Sequence, residues 1–386
     1  MEKLLIKNSR IVLENEIIVG NILIDEGIIK EISSKNIKVN SEEVEVLNAK
    51  GNYIIPGFID VHIHGSNGSD VMDGTKEALI NISKFIVKKG VTNFLATTLT
   101  SPKEELINVL KILGDIQNLD VGGANIFGVH MEGPYFDVEY KGAQDENFIK
   151  DASIKSLRDF LTIKNDLVKL MSISPHTKGA YKGIEFLKRN GVVVSVGHSG
   201  ATYDEVMKGI DCGISHSTHT YNGMKGLNHR EPGVVGAIMS SDKVNAEIIF
   251  DEIHVHRAAV DILIRAKGVN KVLCITDAIS ATGLPDGDYK LGKLDVYVKN
   301  SQARLKMNDA LAGSVLTMDR AFRNILSLGY TIYDAIKMTS TNAANEFNLN
   351  SGEIKIGKQG DLVILDDDYN PKATIVNGKI KFNDIN

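Results

Sequence analysis

Cysteine is nearly missing from this chain: Cys212 and Cys274 are the only two in 386 residues. So few thiols exclude a disulfide framework and fit a reducing cytosol. Basic residues are not in excess either, since 44 Lys and Arg against 49 Asp and Glu leave a net charge of −5 and a pI near 6.1. Without a positive stripe, nucleic acid and anionic membranes are excluded as expected partners. No apolar run approaches the roughly 18 residues of a membrane span, and the apolar stretch in the opening Met-Glu-Lys-Leu-Leu-Ile-Lys-Asn-Ser-Arg is too short for a signal peptide. Internal repeats and low-complexity tracts are missing as well. The expectation is a soluble, cytoplasmic protein.

What is present is enough apolar content, 43%, for one large core with a smaller unit attached. From Leu4 to about Tyr53, short alternating runs such as Ile28-Ile29-Lys30-Glu31-Ile32 are separated by turn formers, and the last thirty or so residues read the same way, with Asn377-Gly378 as a hairpin turn. Two such small sheets are marginal alone, so residues 1–55 and 355–386 are expected to form one β-domain together. Between them strand-like runs end near His64, Thr100, Tyr135, His176, His198, Asn222, His254 and Asp277, with amphipathic helices in between, such as Thr75 to Lys89. Capping boxes are expected at Ser101, Thr202 and Thr331, and Tyr289 to Lys306 reads as a hairpin excursion after the eighth strand. The fold class is therefore α/β: a (β/α)₈ barrel over 56–354 carrying a small β-sandwich made from both termini.

In such a barrel the active residues gather at the carboxyl ends of the strands. Those ends supply His62 and His64 on the first strand, Glu132 on the third, His198 on the fifth, His219 on the sixth, His254 on the seventh and Asp277 on the eighth. Residues i and i+2 of a strand face one way, so His62 and His64 can grip one cation together. With ten histidines, chance alone predicts about a quarter of one His-x-His pair, so the pair gains weight only from the other strand ends. Four imidazoles and two carboxylates suit one or two divalent ions of the zinc or iron kind, whereas magnesium and calcium prefer all-oxygen sites. His130, His176, His216, His229 and His256 read as packed or outer residues, and Asp60 as a polar residue orienting the site.

Longer motifs then carry a resemblance. Pro-Gly-Phe-Ile-Asp-Val-His-Ile-His-Gly at 56–65, Val-His-Met-Glu-Gly-Pro at 129–134, Gly-His-Ser at 197–199, Thr-His-Thr-Tyr-Asn-Gly-Met at 218–224, Arg-Glu-Pro-Gly at 230–233, Thr-Asp-Ala at 276–278 and Leu-Ala-Gly-Ser at 311–314 resemble, in order, signatures of the amidohydrolase superfamily. Glu-Gly-Pro, Arg-Glu-Pro-Gly and Leu-Ala-Gly-Ser are those of its sugar-phosphate deacetylase branch, which removes the acetyl group from N-acetyl-D-glucosamine 6-phosphate. The resemblance implies a barrel with a two-terminus sandwich, and metal ligation by His62, His64, Glu132, His198, His219 and Asp277, with Asp277 also the proton carrier. It implies substrate contacts from Gln144, Asn222, Gly223, Arg230, His254, Leu311, Ala312 and Gly313; the residues alone suit Arg230 either to grip the phosphate or to form a structural ion pair with Glu231 or another carboxylate. One or two divalent ions, zinc first and iron, cobalt or manganese after it, and a homodimer are implied too.

The chain also departs from the pattern. Ser174-Pro175-His176 stands for the usual Ala-Pro-Glu, Asp251-Glu252-Ile253-His254 for Asp-Gly-x-His, and Asn342-Ala343-Ala344 for Asn-Pro-Ala, while Gln144 occupies a position where some members have histidine. Members that lack the first-strand histidine pair bind a single ion; here both are present. The alternatives are the galacto epimer as substrate, another amidohydrolase such as a cyclic-imide hydrolase or D-amino-acid deacylase, and a scaffold without catalysis. Imide hydrolases commonly bridge two metals with a modified lysine on strand four, and strand four here runs to Ser-Pro-His instead.

Overall fold

The computed structural model describes residues 3–39 and 43–385. Eight strands form one parallel sheet in sequence order: Phe58–Ile63, Val91–Thr98, Asn125–Glu132, Val168–Ile173, Val193–Val196, Ile214–Ser217, Asn245–Ile249 and Val272–Ile275. They are called barrel strands one to eight below. The first two are buried along their whole length, as expected for parallel strands covered on both faces. The sheet closes between strands eight and one: the Asp60 carboxylate accepts the Thr276 hydroxyl at 2.6 Å, and just above it the Asp277 N–H donates to His62 O at 2.8 Å and the His64 N–H to Ala278 O at 2.9 Å. A helix follows each strand, from Lys76–Ile86 after the first to Met318–Ser327 after the eighth.

Several local expectations are realised and one is not. Thr75, Thr202 and Thr331 cap their helices, the last two with full capping boxes. At Lys103–Ile116 the N-cap is Pro102 and no side chain caps it, so the Ser101 box does not form. The excursion after strand eight is a three-stranded sheet (Gly287–Leu291, Leu294–Lys299, Gln302–Leu305) with its own apolar cluster around Leu99, Ile279 and Val296.

The termini share a second sheet of eight strands. Its first strand, Lys3–Val12, divides it: Lys3 to Lys7 pair with Val44–Asn48, and Arg10 and Ile11 with Tyr53–Pro56. Tyr53–Pro56 in turn pairs antiparallel with Leu362–Leu365, which hands the sheet on to Pro371–Val376 and Lys379–Asn383 across the Asn377-Gly378 turn. Ile6, Ile22, Ile24, Leu362, Ile364 and Ile375 fill its core. Gly57 alone separates this sheet from barrel strand one. Among the described residues no helix is long and apolar enough to cross a membrane.

Candidate metal centre and its cavity

The barrel strands end one to five residues earlier than the sequence suggests, for instance at Ser217 rather than near Asn222. Most of the chemistry therefore sits on the turns just beyond them. Three of those turns need unusual backbone: φ is +45° at His198, +29° at His219 and +50° at Asp277. Non-glycine residues rarely hold positive φ, and the cost of order 1 kcal/mol each is borne where it swings a side chain back over the barrel mouth.

The six expected ligands converge. His64 Nε2 lies 3.3 Å from His62 Nε2 and 3.2 Å from Asp277 Oδ1, and His62 Nε2 is 3.5 Å from Glu132 Oε1. His198 and His219 bring their Nε2 atoms to 3.2 Å from each other and to 3.2 and 3.1 Å from the same Glu132 oxygen. Two triads result, His62–His64–Glu132 and Glu132–His198–His219, all buried, with Glu132 common to both. Two ligand atoms placed tetrahedrally at about 2.0–2.1 Å from one ion stand about 3.3 Å apart, and the Nε2 pairs match that separation.

Tautomers point the same way. The Nδ1–H of His62 donates to Glu247 at 2.9 Å, that of His64 to Thr97 O at 3.2 Å and that of His198 to Tyr140 O at 2.9 Å. Each ring therefore turns a bare Nε2 lone pair toward the centre, the form in which imidazole binds a metal. Lone pairs crowded on one another and on a carboxylate are stable only around a cation, so the residues fit the metal that the sequence implies. Burial alone would raise Glu132 and Asp277; positive charge at the facing histidines, or a cation in their place when the rings are neutral, holds Glu132 well below the usual carboxylate range and lowers Asp277. Both are carboxylates at neutral pH.

Around the centre lies a cavity of about 150 Å³ whose walls include His64, Glu132, Gln144, His198, His219, Asn222, Gly223, His254, Asp277, Leu311 and Gly313. His62 stands fully buried behind it. His254, five residues past strand seven, is fixed by its Nδ1–H to Asp251 Oδ2 at 2.7 Å. Gly223 has φ +58°, and a Cβ there would sit 2.9 Å from His198 Nδ1, so only glycine lets the backbone pass this ring. Gln144 donates to Glu132 Oε2 at 2.7 Å and accepts the Thr100 N–H at 2.8 Å, which leaves a single N–H for a substrate. Two expected contacts are not in the wall. Ala312 is packed into the cluster under the three-stranded sheet. Arg230 lies on an exposed loop, and next to it Glu231 accepts the Tyr203 and Gly233 N–H groups at 2.9 and 3.1 Å.

The sequence reading missed Glu247. It lies in the middle of barrel strand seven, fully buried, and accepts from His62, His216 and the His219 amide. An acidic residue inside the apolar run Asn245-Ala-Glu-Ile-Ile249 was the available signal. His130 and His216 are outer residues: His130 Nε2 meets Ser172 Oγ at 2.7 Å, and His216 is clamped between Glu247 and Glu346. Against the pull of burial, Glu346 and Glu247 push His216 up to about 10. On strand four the one lysine, Lys169, pairs with Asp166 on the far side of the barrel, so Glu132 and not a lysine joins the two triads.

A (β/α)₈ barrel with paired His/Glu metal triads at its mouth defines a metal-dependent hydrolase, and the chain belongs to the amidohydrolase family, whose sequence pattern matches residues 53–381. Curated proteins to which it is similar include sugar-phosphate deacetylases. An N-acetylglucosamine-6-phosphate deacetylase from Lysinibacillus sphaericus is 36% identical over 345 residues, 89% of each chain. An N-acetylgalactosamine-6-phosphate deacetylase from Escherichia coli O157:H7 is 33% identical over 92% of this chain and 93% of its own. Among solved structures, a variant N-acetyl-D-glucosamine-6-phosphate deacetylase from Mycobacterium smegmatis in complex with N-acetyl-D-glucosamine-6-phosphate superposes with a TM-score of 0.92 at 27% identity, over 99% of this chain and 100% of that one.

Proposed function

We propose that the protein hydrolyses the acetamide of N-acetyl-D-glucosamine 6-phosphate to D-glucosamine 6-phosphate and acetate. The observation that carries this reading is the pair of triads sharing Glu132 at the floor of a small polar cavity, in a chain 36% identical to a deacetylase of that substrate. Zinc or another divalent transition metal, if held at one or both triads, would supply Lewis acidity toward the acetyl carbonyl and would lower the pKa of a water from 15.7 toward about 7. His62, His64, Glu132, His198 and His219 would hold it, with Asp277 alongside.

The residues of the chain do the rest. Asp277, 3.2 Å from His64 Nε2, would take the proton of the attacking water and return it to the departing nitrogen, so that water and amide become amine and acetate. Gln144 and His254 face the cavity from opposite loops, each held in one orientation, and Asn222, Gly223, Leu311 and Gly313 offer polar and backbone contacts to a sugar. A substrate whose phosphate reaches beyond the wall would meet Arg230, whose planar guanidinium suits a phosphate better than an ammonium does.

The galacto epimer is a second reading, because the chain is 33% identical to a deacetylase of N-acetylgalactosamine 6-phosphate. The test is acetate release from both sugar phosphates by protein of measured metal content. Faster turnover of the gluco substrate is expected. Preference for the galacto substrate would replace the reading with the second one, and no acetate from either by metal-loaded protein would end both.

A further inference from the structure

A line of buried charged groups runs through the barrel interior away from the cavity. His62 on strand one donates to Glu247 on strand seven at 2.9 Å. The other Glu247 oxygen accepts from His216 Nε2 on strand six at 2.9 Å. His216 Nδ1 then meets both oxygens of Glu346, on the helical turn Asn342–Glu346, at 3.0 Å. His62, Glu247 and His216 have no exposed surface at all, and the Glu346 side chain is 6% exposed. Nothing in packing calls for this. An imidazole flanked by carboxylates on both nitrogens must carry both protons, so the barrel buries a cation between two anions, an arrangement that apolar side chains of the same volume commonly match or better in stability.

Glu247 also reaches both triads. The oxygen that accepts from the His62 ring also accepts the His219 N–H at 2.9 Å, at a residue whose φ is +29°. One carboxylate thus sets the ring and tautomer of a ligand in the first triad and the backbone of a ligand in the second. The ion-paired His216 keeps that carboxylate charged and fixed in rotation.

We infer that Glu247, braced by His216 and Glu346, is a positioning residue that sets metal affinity at both triads. This rests on the metal-dependent reading above. Partners one step behind metal ligands commonly change affinity 10- to 100-fold when removed. Glu247→Gln keeps the volume but not the charge, and it can no longer accept on both oxygens. Glu346→Gln touches no ligand and acts only through His216.

The experiment is a zinc titration of chelator-treated full-length protein against a competing chromophoric chelator, together with melting of each variant with and without zinc. Zinc binding to Glu247→Gln is expected to weaken 10- to 100-fold, and to Glu346→Gln three- to tenfold. In both variants the zinc-induced rise in Tm should shrink by more than the metal-free Tm falls. A purely structural role lowers the two melting points together and leaves affinity within twofold, and that result overturns the inference. If Glu247→Gln is not recovered folded, Glu346→Gln decides alone on the same criterion. Wild-type protein that binds no zinc would refute the metal reading itself, a distinct outcome.

Discussion

Asp277→Asn is the substitution that separates proton transfer from metal retention. Asp277 occupies left-handed backbone at φ +50°, where Asn is among the few residues that sit comfortably. Its N–H donates to His62 O at 2.8 Å and its carbonyl accepts from Ser314 at 2.7 Å, and the exchange changes neither. The barrel closure should therefore survive. Both triads of His62, His64, Glu132, His198 and His219 remain complete without it. A carboxamide cannot accept and return a proton, however, and general acid–base catalysis is worth about 10²- to 10⁴-fold. At 1.36 kcal/mol per tenfold, that is a rise of about 2.7 to 5.4 kcal/mol in the barrier. The assay is steady-state acetate release with metal content measured on the same preparation. Expected are kcat down at least 100-fold, most of the metal retained, and a Tm within a few degrees of wild type. An Asn variant with kcat within about fivefold of wild type, metal-loaded and folded, would refute the role of Asp277. Intact activity per folded molecule with a large fall in Tm would assign it to the barrel closure instead.

His198→Ala and His219→Ala each remove one of three donors from the second triad, so elemental analysis of purified protein should show metal content falling by half or more; full retention in both would reject this ligand set. His62→Ala, by contrast, should empty the first triad and leave partial turnover. Arg230→Ala should lower kcat/KM on the sugar phosphate roughly 30- to several-thousand-fold while barely altering slow turnover of the unphosphorylated sugar, and equal losses on both would place the phosphate elsewhere. Gly57→Ala would set a Cβ 2.1 Å from Thr92 Cγ2 at the junction of sheet and barrel, an overpacking that should cost about 1 to 3 kcal/mol in denaturant unfolding; a Gly57→Ala/Thr92→Ala double variant should recover part of it.

The layout was legible because it rests on local rules. Alternation marked the terminal strands, Asn377-Gly378 marked a hairpin, and imidazoles and carboxylates recurring at strand ends marked one mouth. Exact strand ends were not legible: the turn at His219 is held by a tertiary contact, Glu247 with the His219 N–H, and the one at His254 by the local bond from its ring to Asp251, neither of which a strand-like run of residues reveals. Glu247 itself escaped because reading strand ends looks past strand middles; its role depends on strand register, which pairs His216 with Asn245 and so brings Glu247, two residues on and facing the same way, within reach of the ring. Nor does the motif around Arg230 show that the arginine lies on an exposed loop outside the cavity wall. The Ser101 box failed for a local reason: Pro102 became the N-cap, and its neighbour's hydroxyl was left a residue too early.

The pairing of Tyr53–Pro56 with Leu362–Leu365 has a consequence during synthesis. At about 5 to 20 residues per second, the roughly 300 residues between those strands take on the order of 15 to 60 s to leave the ribosome. Through that interval the N-terminal strands hold Ile6, Ile22 and Ile24 without the partners that bury them, and Tyr53–Pro56 is an open edge. The barrel can condense behind them as it emerges, so the last thirty residues of the chain act as a closing clasp. A nascent chain stalled before Leu362 should carry protease-sensitive N-terminal strands beside a protected barrel, and release of the full chain should protect both ends at once.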